Sequence, residues 1–172
     1  MSLNINQTTL KKITTFIFDV DGVLSDGTVL ALDSGEQART FNIKDGYAVQ
    51  LAVKLGYNVA IISTGTRIGV RERLEFLDIK DIFMGIEDKI KVFENYLETK
   101  NITEDTILYM GDDLPDYAIL KRVGLATCPA DAADDIKAIC HYISSFPGGK
   151  GAVRDVIEKV MKMQGKWMLD AG

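Results

Sequence analysis

The sequence predicts an α/β protein whose mainly parallel β-sheet is covered by helices on both faces. Short apolar runs rich in β-branched residues alternate along the chain with segments in which apolar residues recur every three or four positions. Strands that alternate with helices imply right-handed crossovers, which place successive strands parallel in one sheet. Several of the apolar runs stop directly before acidic, hydroxyl or glycine residues, as expected where strands end at a binding edge. The expected fold is therefore a three-layer, Rossmann-like arrangement with a small β-hairpin insertion.

The first half of the chain is predicted to hold a strand, a hairpin, a helix and a second strand. The first strand is β-branched and aromatic, which is typical of a strand buried on both faces. Gly35 lies in the turn of the hairpin, and Gly56 ends the helix. In order, these elements occupy residues 13–19, 29–32 paired with 38–41, 48–55, and 58–62.

The second half continues this alternation to the C-terminus. Asp88 is a suitable N-cap for one of its helices, and Pro115 is permitted in the first turn of another. In order, the predicted elements are a helix with Val70, Leu74 and Leu77, a strand at 81–84, a helix with Ile90, Phe93 and Leu97, a strand at 106–110, a helix at 114–123, a strand at 124–127, a helix at 134–139, a strand at 142–143, and a helix with Val153, Val156, Ile157 and Val160.

Length and composition predict a single domain, residues 1–172, in which residues 28–42 form the hairpin insertion. The 172 residues are 47% hydrophobic and 26% charged, as in ordinary globular proteins. The formal net charge of −5 disfavours binding to nucleic acid or to an acidic membrane surface. Cys128 and Cys140 are not in a CxxC pattern, and they predict reduced thiols in a cytoplasmic protein.

Chemically reactive side chains follow the predicted parallel strands. Asp19 and Asp21 come after the first of these strands, and Ser63 comes after the next. Lys89 begins the helix after the short third strand, and Asp112 follows the fourth. Because the carboxyl ends of parallel strands meet at one edge of the sheet, we expect these side chains to converge.

The converging set suits phosphoryl transfer assisted by a divalent cation. Asp19 can attack phosphorus and form an aspartyl phosphate, while Asp21 can protonate the leaving oxygen and later activate water. Clustered carboxylates repel one another, so we expect Mg²⁺, which takes oxygen ligands and retains waters. Lys89 and Ser63 can bind the remaining phosphoryl oxygens. Each motif is weaker evidence alone, since a DxD segment can be a solvated turn and Asp112 can belong to a helix N-cap.

Four segments of the chain resemble, in this order, the motifs of the haloacid dehalogenase superfamily: FDVDGVLSDG, IIST, DK and GDDLPD. Longer stretches narrow the resemblance to the 3-deoxy-D-manno-octulosonate 8-phosphate phosphatases and their close relatives, which are of the uncapped type: FNIKDGYAVQLA, GDDLPDYAILKRVGLA and GGKGAVRD. The resemblance covers residues 13–160. It implies a Mg²⁺-dependent phosphatase that hydrolyses the terminal phosphate of a 2-keto-3-deoxy sugar acid.

The resemblance also implies a role for each residue that matches a motif. The catalytic residues would be Asp19 as nucleophile, Asp21 as acid/base, Ser63 as phosphoryl ligand, and Lys89 as partner of both nucleophile and phosphate. The metal ligands would be Asp19, Asp21 through its backbone carbonyl, and Asp112. Either Asp113 or Asp116 would support this set from behind.

The loop after the second parallel strand departs from the octulosonate phosphatases. Many of those enzymes read SGR there, whereas this chain reads STGTR from Ser63 to Arg67. The Ser-Thr opening resembles related domains that handle nine-carbon keto-deoxy or sialic acids, so a nine-carbon 9-phosphate, such as KDN 9-phosphate, is the alternative substrate. Thr64 and Gly65 are candidate substrate contacts. Arg67 is either a bidentate partner of the substrate carboxylate or a solvent-exposed arginine at a helix start.

A glycine-rich segment near the C-terminus supplies two more candidate substrate contacts. The segment GGKGAVRD contains Lys150 and Arg154. It is either a loop that leads into the last helix or a flexible anion-binding flap. It is not a P-loop, because the Walker spacing is absent.

The intervals between the motifs leave no room for a cap domain over the site. Asp21 to Ser63 holds only the hairpin and one helix, and Ser63 to Lys89 holds only one helix and one strand. The hairpin at 28–42 has an edge that tends to be paired or covered. We therefore expect a homotetramer in which hairpins pack together and one subunit covers the site of the next. The resemblance implies the same assembly, because uncapped relatives are tetrameric.

A phospho-accepting receiver domain is the alternative from a different class of protein. Receivers also place acidic residues, Mg²⁺, a hydroxyl and a lysine around one aspartate. Their acidic pair normally follows the first strand and their acceptor follows the third. Here the DxD segment follows the first strand and a second acidic pair follows a late strand. A stable aspartyl phosphate without turnover would favour the receiver.

Overall fold

The structure is a computed structural model that describes residues 6–168. Within this range the strands are Thr15–Phe18 (β1), Leu30–Ala31 (β2), Gln37–Ala38 (β3), Asn58–Ser63 (β4), Asp81–Met84 (β5), Ile107–Met110 (β6), Leu125–Cys128 (β7) and Tyr142–Ile143 (β8). The α-helices are Gln7–Lys12 (α1), Ile43–Lys54 (α2), Ile68–Phe76 (α3), Lys89–Lys100 (α4), Tyr117–Leu120 (α5), Asp134–Lys137 (α6) and Ala152–Met163 (α7). Two 3-10 turns occupy Glu104–Thr106 and Leu114–Asp116.

The main sheet has six strands in the order β5-β4-β1-β6-β7-β8, and all of its neighbours are parallel. β1 lies between β4 and β6, so that Phe18 is in register with Ile61 on one side and Met110 on the other. The carboxyl ends of these three strands therefore meet at one edge of the sheet. The structure confirms the predicted fold class, including the antiparallel β2–β3 hairpin and, between residues 6 and 168, no cap domain.

Alternate residues of the central strand enter two hydrophobic clusters, one on each face of the sheet. Phe16 and Phe18 of β1 pack in the cluster that includes apolar residues of α2 and α7. Ile17 packs in the other cluster, which includes apolar residues of α4 and α5. All three side chains are 0% exposed. Burial on both faces explains why β1 reads as a continuous apolar run, and it fixes the position of the residues that follow the strand.

Two segments differ from the sequence prediction. The helix predicted at 114–123 is a 3-10 turn followed by the short helix α5. Pro115 lacks an amide hydrogen, and the Asp116 carboxylate turns inward to accept a hydrogen bond from the Asp112 amide at 3.2 Å, so the α-helix begins only after it. Helix α1 is absent from the sequence prediction because Leu10 is its only buried residue, which leaves no apolar stripe.

The β2–β3 hairpin presents an apolar surface to solvent. Val29, Leu30 and Leu32 are 45%, 64% and 42% exposed, respectively. Large exposed apolar side chains on a short edge are typical of a surface that another chain covers.

Within residues 6–168, no helix combines the length and the apolar character needed to cross a bilayer.

Candidate active site

The carboxyl edge of the sheet brings Asp19, Lys89, Asp112 and Asp116 together. Asp19 directly follows β1, Asp112 lies just beyond β6, and Lys89 is the first residue of α4. Carboxylate oxygens of Asp19, Asp112 and Asp116 all lie within 4.8 Å of one another. Of the five side chains expected to converge, Asp19, Lys89 and Asp112 therefore belong to this cluster, and Asp116 joins them.

Lys89 is the cation at the centre of this cluster. Its Nζ lies 2.8 Å from Oδ2 of Asp19 and 2.8 Å from Oδ1 of Asp116, and the residue is only 4% exposed. A cation at a helix N-terminus opposes the helix dipole, so the two carboxylates are what stabilise it there. Burial disfavours the charged ammonium, but Asp19 and Asp116 outweigh that effect and raise the pKa of Lys89. Lys89 is consequently positively charged at neutral pH.

Asp116 serves to position its neighbours. Its Oδ1 accepts hydrogen bonds from Lys89 and from the hydroxyl of Tyr109, and its Oδ2 accepts one from the Asp112 amide. The residue is 0% exposed. Both oxygens are thus engaged within the protein, where they hold Lys89, the Tyr109 hydroxyl and the Asp112 amide in place. Asp113, the alternative supporting residue, is exposed and instead caps the 3-10 turn through the amide of Leu114.

The oxygens of Asp19 and Asp112 suit a hard divalent cation. The loop after β1 passes directly over Asp112, since a β-carbon at Gly22 would lie 2.0 Å from its Oδ2. Gly22 also has a φ of +81°, so glycine is needed both for the turn and for the close approach. Two carboxylates with a nearby backbone loop are sufficient for Mg²⁺, which keeps several waters or substrate oxygens as ligands. The residues present therefore fit a divalent metal ion.

Excess negative charge in the cluster also indicates that these residues fit a divalent metal ion. Burial raises the pKa of Asp19 to about 6, with a further rise from Asp116 and an opposing effect from Lys89. Burial also raises the pKa of Asp112 to about 7, and repulsion by Asp19 and Asp116 adds to it. The Lys89 ammonium thus does not balance the carboxylates around it. A bound cation would supply the missing positive charge.

Asp112→Asn is expected to stabilise the metal-free protein while weakening its affinity for a metal. The folded-state pKa of Asp112 is about 7 and its ordinary value is 3.8, so the stability that its protonated form contributes is lost as pH rises through 7. At pH 8 we expect the variant to raise the free energy of unfolding by roughly 1 kcal/mol, after allowance for solvent screening. The loss begins above the ordinary pKa of 3.8, so at pH 5 we expect a gain of less than half that size.

Thermal unfolding of chelator-treated protein at both pH values measures this difference, and calorimetric titration with Mg²⁺ measures the loss of affinity. The same stabilisation at pH 5 and pH 8 would contradict the electrostatic explanation.

The side chains of Ser63 and Asp21 both lie close to Gly65, just beyond the end of β4. A β-carbon at Gly65 would lie 3.5 Å from Oγ of Ser63 and 3.6 Å from Oδ2 of Asp21. The Ser63 hydroxyl accepts a hydrogen bond from the Gly65 amide at 3.2 Å, which leaves its proton available for donation. Ser63 is 1% exposed, so its orientation is restricted by packing. Both side chains are thus placed beside the loop that carries the STGTR sequence.

Arg39 is a residue of this site that sequence reasoning missed. It follows β3 directly, and its Nε and Nη2 lie 2.7 Å and 3.3 Å from Oδ1 and Oδ2 of Asp21. The strands of this hairpin are too short to show a periodic pattern that would single out an arginine. Its one sequence cue is its place at the end of the hairpin strand that returns toward the DxD segment.

In the loop after Ser63, Thr64 and Arg67 are exposed and Gly65 is half-buried. Thr64 lies at the surface next to Gly65, and Arg67 lines a cleft of about 470 Å³ between the hairpin and the start of α3. The opposite wall of this cleft includes Leu32 and Glu36 of the hairpin. Arg67 is also the N-cap of α3, although its side chain makes no capping hydrogen bond. Its guanidinium is therefore placed at the surface beside the hairpin.

The glycine-rich segment lies on another side of the DxD loop. A β-carbon at Gly148 would lie 1.9 Å from the carbonyl oxygen of Gly22, so the two loops are in direct backbone contact. Lys150 Nζ lies 3.3 Å from Asp26, and both Lys150 and Arg154 line a second cleft of about 750 Å³. The five predicted substrate residues thus lie in two separate regions, and in the second of these Arg154 pairs with Glu158 at 3.2 Å.

Comparison with known proteins agrees with this geometry. Residues 75–157 match a model of the haloacid dehalogenase-like hydrolases. The chain is 36% identical to the 3-deoxy-D-manno-octulosonate 8-phosphate phosphatase KdsC of Salmonella typhi, over 92% of this chain and 85% of that protein.

Two solved structures extend the match to the fold. The octulosonate phosphatase of Yersinia pestis superimposes with a TM-score of 0.91 at 32% identity, covering 93% of this chain and 86% of that one. The phosphatase of Moraxella catarrhalis, solved with a magnesium ion, a phosphate ion and KDO, superimposes with a TM-score of 0.90 at 31% identity, covering 94% and 92%. The chain therefore belongs to the haloacid dehalogenase-like hydrolases, and it is a phosphoric monoester hydrolase.

Proposed function

We propose that the chain is a Mg²⁺-dependent phosphatase that removes the terminal phosphate of 3-deoxy-D-manno-octulosonate 8-phosphate through an aspartyl phosphate. The position of Asp19 carries this proposal. One of its oxygens contacts Lys89 Nζ at 2.8 Å, and the other accepts the Val20 amide at 2.6 Å. A buried carboxylate held by two donors is oriented before the substrate arrives, as attack on phosphorus requires.

The proposed reaction has two steps, phosphorylation of Asp19 and hydrolysis of the aspartyl phosphate. First, an oxygen of Asp19 bonds to phosphorus, the bond between phosphorus and the substrate oxygen breaks, and protonated Asp21 gives its proton to that oxygen. The sugar leaves as an alcohol, and Asp19 carries the phosphoryl group. Second, Asp21 takes a proton from water as the water oxygen bonds to phosphorus. The bond between phosphorus and Asp19 then breaks, and inorganic phosphate is released.

The other residues of the cluster stabilise negative charge in both steps. Lys89 and the Ser63 hydroxyl are the candidate donors to the phosphoryl oxygens, and each is already held by packing before the substrate binds. Asp19, Asp112 and the backbone carbonyl of Asp21 would hold Mg²⁺, which neutralises charge on the phosphoryl oxygens.

The eight-carbon substrate is proposed because the similar proteins described above are octulosonate 8-phosphate phosphatases. The nine-carbon 9-phosphate is the alternative, and the STGTR loop is the feature that favours it. Arg67, Lys150 and Arg154 are proposed to read the sugar acid, with Arg67 directed at its carboxylate. Thr64 and Gly65 are proposed as contacts nearer to phosphorus.

The open site is proposed to be completed by another copy of the chain. We propose that the chain is one hydrolase domain, residues 1–172, and that residues 28–42 mediate a homotetramer. The exposed apolar side chains of Val29, Leu30 and Leu32 on the hairpin support this, and Leu32 lines the cleft that contains Arg67. A monomeric mass by light scattering would overturn the proposal.

The thiols of the chain bear on its location in the cell. Cys128 and Cys140 are both free and buried. Free thiols are normal in reducing compartments, so we propose a cytoplasmic location.

A phosphate-release assay tests the proposed function. We expect phosphate release from the 8-phosphate in the presence of Mg²⁺, loss of that activity with a chelator, and slower release from the 9-phosphate. Asp19→Asn protein, purified in the same way, controls for contaminating phosphatases. Faster release from the nine-carbon compound would support the alternative substrate. A stable phosphoprotein with no phosphate release would instead indicate a receiver-like domain.

A further inference from the structure

Arg39 connects the exposed hairpin to the proposed proton donor. Its side chain is 9% exposed, while that of Asp21 is 39% exposed. The two side chains form a paired contact, with Nε donating to Oδ1 at 2.7 Å and Nη2 donating to Oδ2 at 3.3 Å. Paired contacts of this kind fix the orientation of a carboxylate as well as its distance.

The remaining nitrogen of Arg39 shows that packing alone does not account for this residue. Its Nη1 is buried, and no acceptor in residues 6–168 contacts it. A buried donor without a partner costs free energy, and an apolar side chain of similar length would avoid that cost. Such a group is expected where a functional contact requires the arginine.

Asp21 has little else to hold it. Within residues 6–168, its carboxylate accepts one hydrogen bond besides those from Arg39, from the Ser25 hydroxyl at 3.3 Å, and that hydroxyl is shared with the Val20 carbonyl. Without Arg39, a carboxylate that is partly exposed to solvent can rotate about its side-chain bonds. The orientation of Asp21 therefore depends on a residue of the hairpin.

We propose that Arg39 is a positioning residue that aims the Asp21 carboxylate at the leaving oxygen of the substrate. The shorter contact anchors Oδ1 to Nε. Oδ2 has the longer contact to Arg39 and lies on the Gly65 side, near Ser63, so it is the oxygen that exchanges the proton. This inference rests on the proposed function, in which Asp21 protonates the leaving oxygen.

The dependence on the leaving group tests this role. An alkyl phosphate such as 3-deoxy-D-manno-octulosonate 8-phosphate needs a proton on its leaving oxygen, whereas p-nitrophenyl phosphate releases a stable anion without one. We expect Arg39→Met to lower kcat/KM for the sugar phosphate by about 10²-fold or more, the size of a general-acid contribution. For p-nitrophenyl phosphate we expect kcat/KM to change little, because that ratio reports formation of the aspartyl phosphate.

Arg122→Met is the matched control, because Arg122 also forms ion pairs, but with Glu94 and Glu104 at the surface. We expect it to leave kcat/KM unchanged for both esters. Equal losses on both esters in Arg39→Met, or no loss on either, would overturn the proposal. If Arg39→Met does not fold, Arg39→Lys carries the same comparison, since it keeps the charge and loses the paired contact. Absence of phosphatase activity in the unmodified protein would overturn the proposed function itself.

Discussion

Asp19→Asn is expected to lower kcat by about 10⁴-fold or more, because an amide cannot attack phosphorus to form the covalent intermediate. The fold should persist, since asparagine is isosteric, its one oxygen can still accept the Val20 amide, and Lys89 keeps its contact with Asp116. The pKa of Asp19 is raised by burial to about 6, so its replacement by a neutral group should not destabilise the metal-free protein. Phosphate release from the sugar phosphate measures the loss of activity, and thermal unfolding of the metal-free protein measures its stability.

Asp105→Asn is a suitable control for this variant. Asp105 is exposed and pairs with Lys12 at the surface. We expect it to retain full activity. Activity of Asp19→Asn within a few-fold of the unmodified protein would mean that another residue attacks phosphorus.

Lys89→Met is expected to reduce both activity and stability. The change removes the cation that contacts Asp19 and Asp116 and leaves two buried carboxylates without it. Breaking a buried ion pair from one side costs about 3–5 kcal/mol, and loss of a donor to the phosphoryl group lowers kcat by about 10²–10³-fold. The pKa of Asp19 should rise further, so the loss of stability should be larger at pH 8 than at pH 5, where the carboxyl group becomes neutral.

Thermal unfolding at pH 5 and pH 8 measures this dependence. Lys91→Met offers a control on the same helix, because Lys91 is exposed and pairs only weakly with Asp88. We expect the control to resemble the unmodified protein at both pH values. A stability loss in Lys89→Met that does not depend on pH would contradict the charge-based explanation.

The residues at the ends of the strands were predictable from sequence because local pattern and topology agree there. The run before Asp19 is buried on both faces, and the parallel register with β4 and β6 then fixes where Ser63 and Asp112 lie. The position of Lys89 gave a further indication. A lysine at the start of a helix opposes the helix dipole, so it is expected to have carboxylates nearby. The fold class and the placement of Asp19, Lys89 and Asp112 at one edge of the sheet could therefore be deduced.

Residues that act through long-range contacts were harder to predict. The position of Arg39 depends on how the hairpin folds back on the DxD loop, and no local pattern records that. The choice between Asp113 and Asp116 also required coordinates, because Pro115 and the inward turn of Asp116 replace the expected α-helix with a 3-10 turn. Tyr109 reads as a core residue of β6, yet its hydroxyl reaches the Asp116 carboxylate.

The covalent route through Asp19 is tested most directly by the phosphorylation state of Asp21→Asn protein. We would incubate it with Mg²⁺ and p-nitrophenyl phosphate, whose leaving group needs no proton, so that Asp19 still attacks while the intermediate is no longer hydrolysed. Quench and mass spectrometry should find one phosphoryl group per chain, on Asp19, and none in the variant that also carries Asp19→Asn. Phosphate release with no phosphoryl group on Asp19, or a phosphoryl group on another residue, would contradict the mechanism.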